Sequence, residues 1–434
     1  MKNSSKIREF ANGWRALLAS SLGNASGLSG LPFYTFGVFV VPLSDAFGWS
    51  RGQVSSAASF LILGTAITAP IVGSIIDRIG ARRVALWSLF ALSLGYAGLT
   101  RLASNIALFY SAWMLMSLAG GGTTPVVWTR AVNLWFDRSR GLALGLTLAG
   151  SGLAGVFGPV FCSTLIERYG WAGGYLGLSA FILLISIPVV FLLYKERSTP
   201  VAPAGAQSAA AHELPGLSFR QALRTAAYWK IAGGFLLVSG AIAGLVINLV
   251  PLMLDRGMSA MDAASIAGAM GVAVLVGRVV VGFLLDKFSA PLVGASLLCA
   301  TAVGCLLMTL SAAPTWVLVL SILSLGLATA AEVDLVAFLV SRYFGMKAYG
   351  RIYGSQLTAF YLGAAFGPAL MGFAYDHYSG YTQILHAVTV IFVFGAAVVG
   401  TLGPLPDFDD RSQRAEERPL LDGAVAQPAS DQQA

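Results

Sequence analysis

Long apolar runs alternate along the chain with short clusters of charge. Runs free of Asp, Glu, Lys and Arg cover 16–44, 52–76, 84–100, 102–129, 141–166, 169–194, 231–254, 263–277, 288–331, 352–375 and 378–406. A helical membrane crossing takes roughly 20 such residues. The run at 288–331 is long enough for two crossings and carries a turn signal at Ala312-Ala313-Pro314. The run at 263–277 stops only because Arg278 interrupts it, and its helix is expected to continue to Leu285. The pattern predicts twelve transmembrane helices. Two stretches fall outside it: 195–230, rich in Pro, Ala, Gly and Ser at 199–211, and 407–434, a polar tail expected to be disordered.

Composition narrows the class. Charged residues make up 11% of the 434, apolar residues 56%, and mean hydropathy is +0.75. So few charges cannot cover a water-soluble surface, which excludes a soluble enzyme. The net charge of +7 is a matter of placement. With the N-terminus inside, Arg78, Arg82, Arg83, Arg130, Arg138, Arg140, Lys287, Arg342, Lys347 and Arg351 fall on inner loops, and Arg51, Arg101, Arg168 and Arg256 on outer ones. Positive charge concentrates on the cytoplasmic side, so both termini are expected there, in a bacterial inner membrane. The basic balance is thus a topology signal, and no nucleic-acid partner is expected. The first apolar run is too long for a cleaved signal peptide. Cys162, Cys299 and Cys305 show no metal-ligand spacing, no cofactor is implied, and the absence of a phosphate-binding loop excludes an ATP-driven pump on this chain.

The sequence repeats itself. Gly73-Ser-Ile-Ile-Asp77-Arg-Ile-Gly-Ala81 recurs as Gly282-Phe-Leu-Leu-Asp286-Lys-Phe-Ser-Ala290, an offset of 209 residues. The same offset relates Gly141 to Gly350, Gly145 to Gly354 and Gly158-Pro159 to Gly367-Pro368. Six helices, a linker and six more in the same orientation form a parallel repeat about an axis along the membrane normal. The expected divisions are a six-helix bundle at 1–194, a cytoplasmic linker at 195–230, a second bundle at 231–406 and a tail at 407–434. Glycines at 141, 145, 150, 152, 155 and 158 are expected to pack the fifth helix closely, with Pro159 and Pro368 kinking the fifth and eleventh.

This arrangement resembles the major facilitator superfamily. Gly73-Ser-Ile-Ile-Asp77-Arg78-Ile-Gly80-Ala-Arg82-Arg83 is similar to its signature loop between helices two and three. Trp135-Phe136-Asp-Arg138-Ser-Arg140-Gly141-Leu-Ala-Leu-Gly145 and Tyr349-Gly350-Arg351-Ile352-Tyr353-Gly354 resemble the monocarboxylate transporter and oxalate–formate antiporter branch. The resemblance implies that Asp77, Arg78, Arg82 and Arg83, with Asp286 as the weaker counterpart, gate alternating access through contacts made in only one packing of the two halves.

Ionisable residues inside the membrane stand out, since each is costly unless paired or facing a cavity. They are Arg278 in the eighth helix and Glu332 and Asp334 in the tenth. A guanidinium stays charged and needs an anion, either a substrate carboxylate held bidentately or a permanent partner such as Asp286. The resemblance implies the former, because the family's anion-binding arginine falls on this helix. Animal-type monocarboxylate transporters carry an Asp one turn before it, where this chain has Val274. Proton coupling would then use Glu332 or Asp334. These lie about 200° apart around a helix, so one is expected to face the pathway and the other a neighbouring helix. Asn24, Tyr34, Trp128, Asn248, Tyr353, Gln356 and Tyr361 are the polar and aromatic residues available to line a cavity.

The expected function is a secondary transporter, not an enzyme, that moves a small organic anion, a monocarboxylate, with a proton and works as a monomer. A carboxylate exchanger and a proton-antiport exporter of amphipathic compounds are the alternatives. Oxalate–formate antiporters carry a Lys in the eleventh helix where this chain has Gln356. A single central cation predicts a monoanion.

Overall fold

The computed structural model describes residues 2–102, 105–136, 140–194, 216–310, 313–345 and 347–403. The expected tail and residues 195–215 of the expected linker lie outside them. The described chain is almost wholly helical: α1 (Lys2–Ser26), α2 (Leu31–Phe47), α3 (Arg51–Ile79), α4 (Ala81–Leu102), α5 (Ile106–Ala119), α6 (Pro125–Trp135), α7 (Arg140–Phe181), α8 (Ile187–Leu193), α9 (Phe219–Leu223), α10 (Ala226–Leu254), α11 (Ala260–Lys287), α12 (Ala290–Leu307), α13 (Thr315–Phe344), α14 (Tyr349–Tyr378) and α15 (Thr382–Gly400).

Twelve crossings result, because three apolar runs are jointed. The first crossing is α1 and α2, separated at Gly27–Gly30. The fourth is α5, a short 3-10 turn (Gly120–Thr123) and α6. The fifth and sixth share α7, whose one non-helical residue is Gly170 (φ 70°); a π-helical turn (Ile182–Ser186) then leads into α8. The bend at Gly170 follows from its left-handed φ, which a side chain disfavours. Pro159 and Pro368 sit inside α7 and α14 without breaking either helix.

The joints meet in space. Leu28 donates its backbone N–H to Thr123 Oγ1 at 3.1 Å, and the Ser26 and Ser186 hydroxyls lie 2.6 Å apart. The Trp128 indole donates to the Thr123 carbonyl at 2.9 Å, so Trp128 is a buried wedge. Backbone groups freed where a helix breaks in lipid must find partners, and here the irregular segments supply one another.

The face at which α3 ends and α4 begins is here termed proximal, and the opposite face distal. Capping fixes several starts: Ser50 and Gln53 form a reciprocal capping box on α3, and Thr225 and Ser259 cap α10 and α11. Large apolar side chains such as Trp87, Leu184 and Val390 point outward, as lipid requires. The 209-residue repeat is visible in the packing. Gly158 of α7 lies against Leu31 of α2, and Gly367 of α14 lies against Gly240 of α10, each partner displaced by the same offset. The fold is all-α, two six-helix bundles in parallel repeat.

The described end of the linker is ordered against the second bundle. Leu217 donates to the Phe344 carbonyl at 2.8 Å, and Gly216 bridges Gly345.

Candidate substrate and coupling site

α7 and α11 cross at a glycine contact. A Cβ on Gly271 would run into the Gly155 backbone, and one on Gly155 would reach the Tyr34 ring at 3.2 Å. That approach brings α2, α7 and α11 together about two helical turns from Arg278. Of the six glycines expected to pack the fifth helix, Gly150, Gly152, Gly155 and Gly158 meet neighbours, whereas Gly145 faces open space. The environment of Gly141 lies outside the described side chains.

Arg278 lies on α11, about 27 Å below its distal start. Glu332 lies about 26 Å below the start of α13, and Tyr361 about 26 Å below the end of α14. The three therefore share a level near mid-membrane. The charges of Arg278 and Glu332 act on each other and on Tyr34, and Glu332 also acts on Tyr361. Asp334 is within electrostatic range of both Arg278 and Tyr353. Both carboxylates thus see the guanidinium, although they lie two residues apart on α13. Glu332 is half-buried and Asp334 exposed. Among the described residues Arg278 makes no ion pair within 4.0 Å, and Arg278 Nε and Glu332 Oε2 are buried without a hydrogen-bond partner. The Asp286 side chain, the other partner considered for Arg278, lies outside the described residues. Val274, one turn before Arg278, is packed in the core.

The three amides are placed differently. Asn24 donates to the carbonyls of Thr147 and Leu148 at 3.4 and 3.3 Å, tying α1 to α7. Asn248 accepts from Ser55 at 3.2 Å and donates to Gly244 at 2.9 Å. Gln356 is buried and donates to the Tyr228 carbonyl at 3.1 Å. These amides join helices. Tyr353 stacks on Tyr349 with centroids 5.5 Å apart, and Tyr361 packs with Ile62, Ala243, Ala364, Ala365 and Phe33.

At the proximal loop, Arg78 and Arg83 are exposed. Arg82 donates to the Phe191 carbonyl in the last turn of α8 and lies over the Phe191 ring at 5.0 Å. The Asp77 side chain, like that of Asp286, lies outside the described residues.

The distal face carries a junction the sequence did not announce. Arg51, the first residue of α3, holds Asp255 bidentately at 2.7 and 3.0 Å, and its guanidinium covers the Tyr375 ring at 4.1 Å. Asp376 of α14 accepts from the backbone N–H groups of Arg51 and Gly52 at 3.1 and 2.9 Å, capping α3 from the other bundle. Hydrogen bonds between the halves are seen within the first two turns of α3, at Arg51, Gly52 and Ser55. The halves are latched distally.

Two parallel six-helix bundles around a mid-membrane charged cluster define a membrane transporter, not an enzyme. The family model for the Major Facilitator Superfamily matches residues 22–358 and again 292–430, and the chain belongs to that family. Monocarboxylate transporter 13 of Bos taurus is 25% identical over 397 residues, spanning 90% of this chain and 89% of that one. Two solved structures share the fold. A bacterial homologue of the human lysosomal transporter Spinster, inward-facing and unoccupied, superposes with a TM-score of 0.68 at 18% identity, covering 89% of this chain and 96% of its own. A D-xylose–proton symporter gives 0.70 at 13% identity, with coverage of 90% and 98%.

Proposed function

We propose that the protein carries a small organic monoanion, a monocarboxylate, together with a proton by alternating access. The observation that carries this reading is Arg278, a cation near mid-membrane with a buried, unpartnered Nε beside Glu332. A carboxylate bound bidentately would satisfy it. Charge counting supplies the coupling. With one of Glu332 and Asp334 protonated, Arg278 leaves the empty cluster neutral, so a substrate carboxylate keeps it neutral only if one further proton is taken up with it. Tyr34, Tyr353 and Tyr361 would offer hydroxyls to the bound anion, and the single guanidinium favours one substrate carboxylate over two. The likeness to a protein named as a monocarboxylate transporter supports the class.

In this reading the proximal face is cytoplasmic, with 1–194 and 231–406 as the two bundles, 195–230 as the cytoplasmic linker and 407–434 as the tail of a monomer in a bacterial inner membrane. The 77–83 segment, where α3 gives way to α4, gates the proximal side. There Asp77 is assigned the role that Asp376 plays distally, capping a helix of the other half.

Uptake of matched mono- and dicarboxylates into proteoliposomes, with and without an inward proton gradient, tests the proposal. Accumulation of a monocarboxylate only with the gradient is expected. Preference for the dicarboxylate, or accumulation indifferent to pH, would sink it. Arg278→Lys keeps the charge but loses the planar fork, and should weaken substrate binding at least about tenfold. Wild-type affinity in that variant would return Arg278 to a structural role.

A further inference from the structure

A shallow cleft lies on the outside of the first bundle. Set between α4 and α8, it measures about 370 Å³ and is lined by Arg83, Leu86, Trp87, Phe90, Ile187 and Phe191. Arg83 sits in the first turn of α4, and Ile187 and Phe191 belong to α8, which ends at Leu193, so the cleft is at the proximal membrane boundary. Trp87 is 70% exposed and Phe191 56%, which opens the cleft sideways to the bilayer. Trp at this depth is what a membrane interface favours.

The charge is unusual for its position. The first turn of α4 contains Arg82 and Arg83 and no acid. A helix N-terminus is already the positive end of the dipole, so two cations there are unfavourable without an anion. Arg82 is accounted for: it donates to the Phe191 carbonyl, at the negative end of α8, and fixes one wall of the cleft. Arg83 is exposed and, among the described residues, makes no ion pair.

The geometry points to a binding site for an anionic phospholipid, its phosphate on Arg83 at the start of α4 and one acyl chain against Trp87, Phe90 and Phe191. Basic pockets between transmembrane helices on the cytoplasmic side suit acidic headgroups. The apolar lining and lateral opening select an occupant that arrives from the membrane and not from water.

Trp87 itself reports occupancy. The full chain is reconstituted in phosphatidylcholine vesicles, and brominated phosphatidylglycerol or brominated phosphatidylcholine is titrated in. The Trp87 signal is the difference between wild type and Trp87→Phe. Half-quenching is expected at an about fivefold lower mole fraction of the phosphatidylglycerol, the preference one basic residue supplies near a membrane surface. Arg83→Gln should abolish that preference while leaving quenching by phosphatidylcholine unchanged. Arg101→Gln, at the opposite end of α4, should keep it. If Trp87→Phe does not fold, total fluorescence of wild type, Arg83→Gln and Arg101→Gln gives the same comparison. Equal quenching by the two lipids in wild type, or a preference that survives Arg83→Gln, overturns the assignment.

Discussion

Glu332 and Asp334 differ in ways their shared charge conceals. Glu332 buries an unpartnered oxygen and acts electrostatically with Arg278, Tyr34 and Tyr361, while Asp334 is exposed and acts on Tyr353. Glu332→Gln should therefore abolish accumulation driven by a pH gradient while leaving substrate exchange, and Asp334→Asn should reduce accumulation only in part. Counterflow and gradient-driven uptake in the same vesicles separate the two effects. Accumulation surviving in both variants would place the proton site elsewhere. The charges themselves stood out in the sequence because a charge inside an apolar run is conspicuous. The partners of the amides did not, since a polar residue in a helix does not say which neighbour it faces, and Asn24, Asn248 and Gln356 bond to other helices. Arg51, Asp255 and Asp376 were missed for the opposite reason. Charges at the ends of apolar runs look like ordinary loop residues, and only the fold brings three distant ends together.

At the scale of elements, the number and order of crossings could be read from charge-free runs. Gly27, Gly30 and the run Gly120-Gly121-Gly122 ahead of Pro125 are break signals within those runs, but the partners that stabilise the breaks come from other crossings and could not be read locally. Glycine spacing indicated close packing without telling contact from open space. Gly271→Leu should drive a side chain into the α7 backbone at Gly155 and Val156, at a cost of about 1–3 kcal/mol or failure to assemble. Gly145→Leu, on the same α7 but meeting nothing within 4 Å, should be tolerated. Thermal melting of the two purified variants makes the comparison. Equal loss in both would remove the α7–α11 contact from its assigned role.

For the whole molecule, the 209-residue repeat gave the architecture in advance, and the contacts Gly158–Leu31 and Gly367–Gly240 reproduce it. The repeat could not give the state of the two halves, which depends on contacts between them. Those contacts include one ion pair, Arg51 with Asp255, whose side chains are 16% and 28% exposed. Pairs of this kind weaken as salt screens them over about 10 Å at 0.1 M. Because the pair opens to one compartment only, the carrier should behave as a rectifying sensor of ionic strength. Raising salt on the distal side of oriented vesicles should speed exchange, while the same salt on the proximal side leaves it unchanged. An Arg51→Gln, Asp255→Asn double variant should be fast from the start and deaf to both. Were the two sides equivalent in the wild type, the latch would not govern the rate. If the asymmetry holds, one half-buried ion pair lets a transporter distinguish a dilute distal compartment from a brackish one without binding either salt ion.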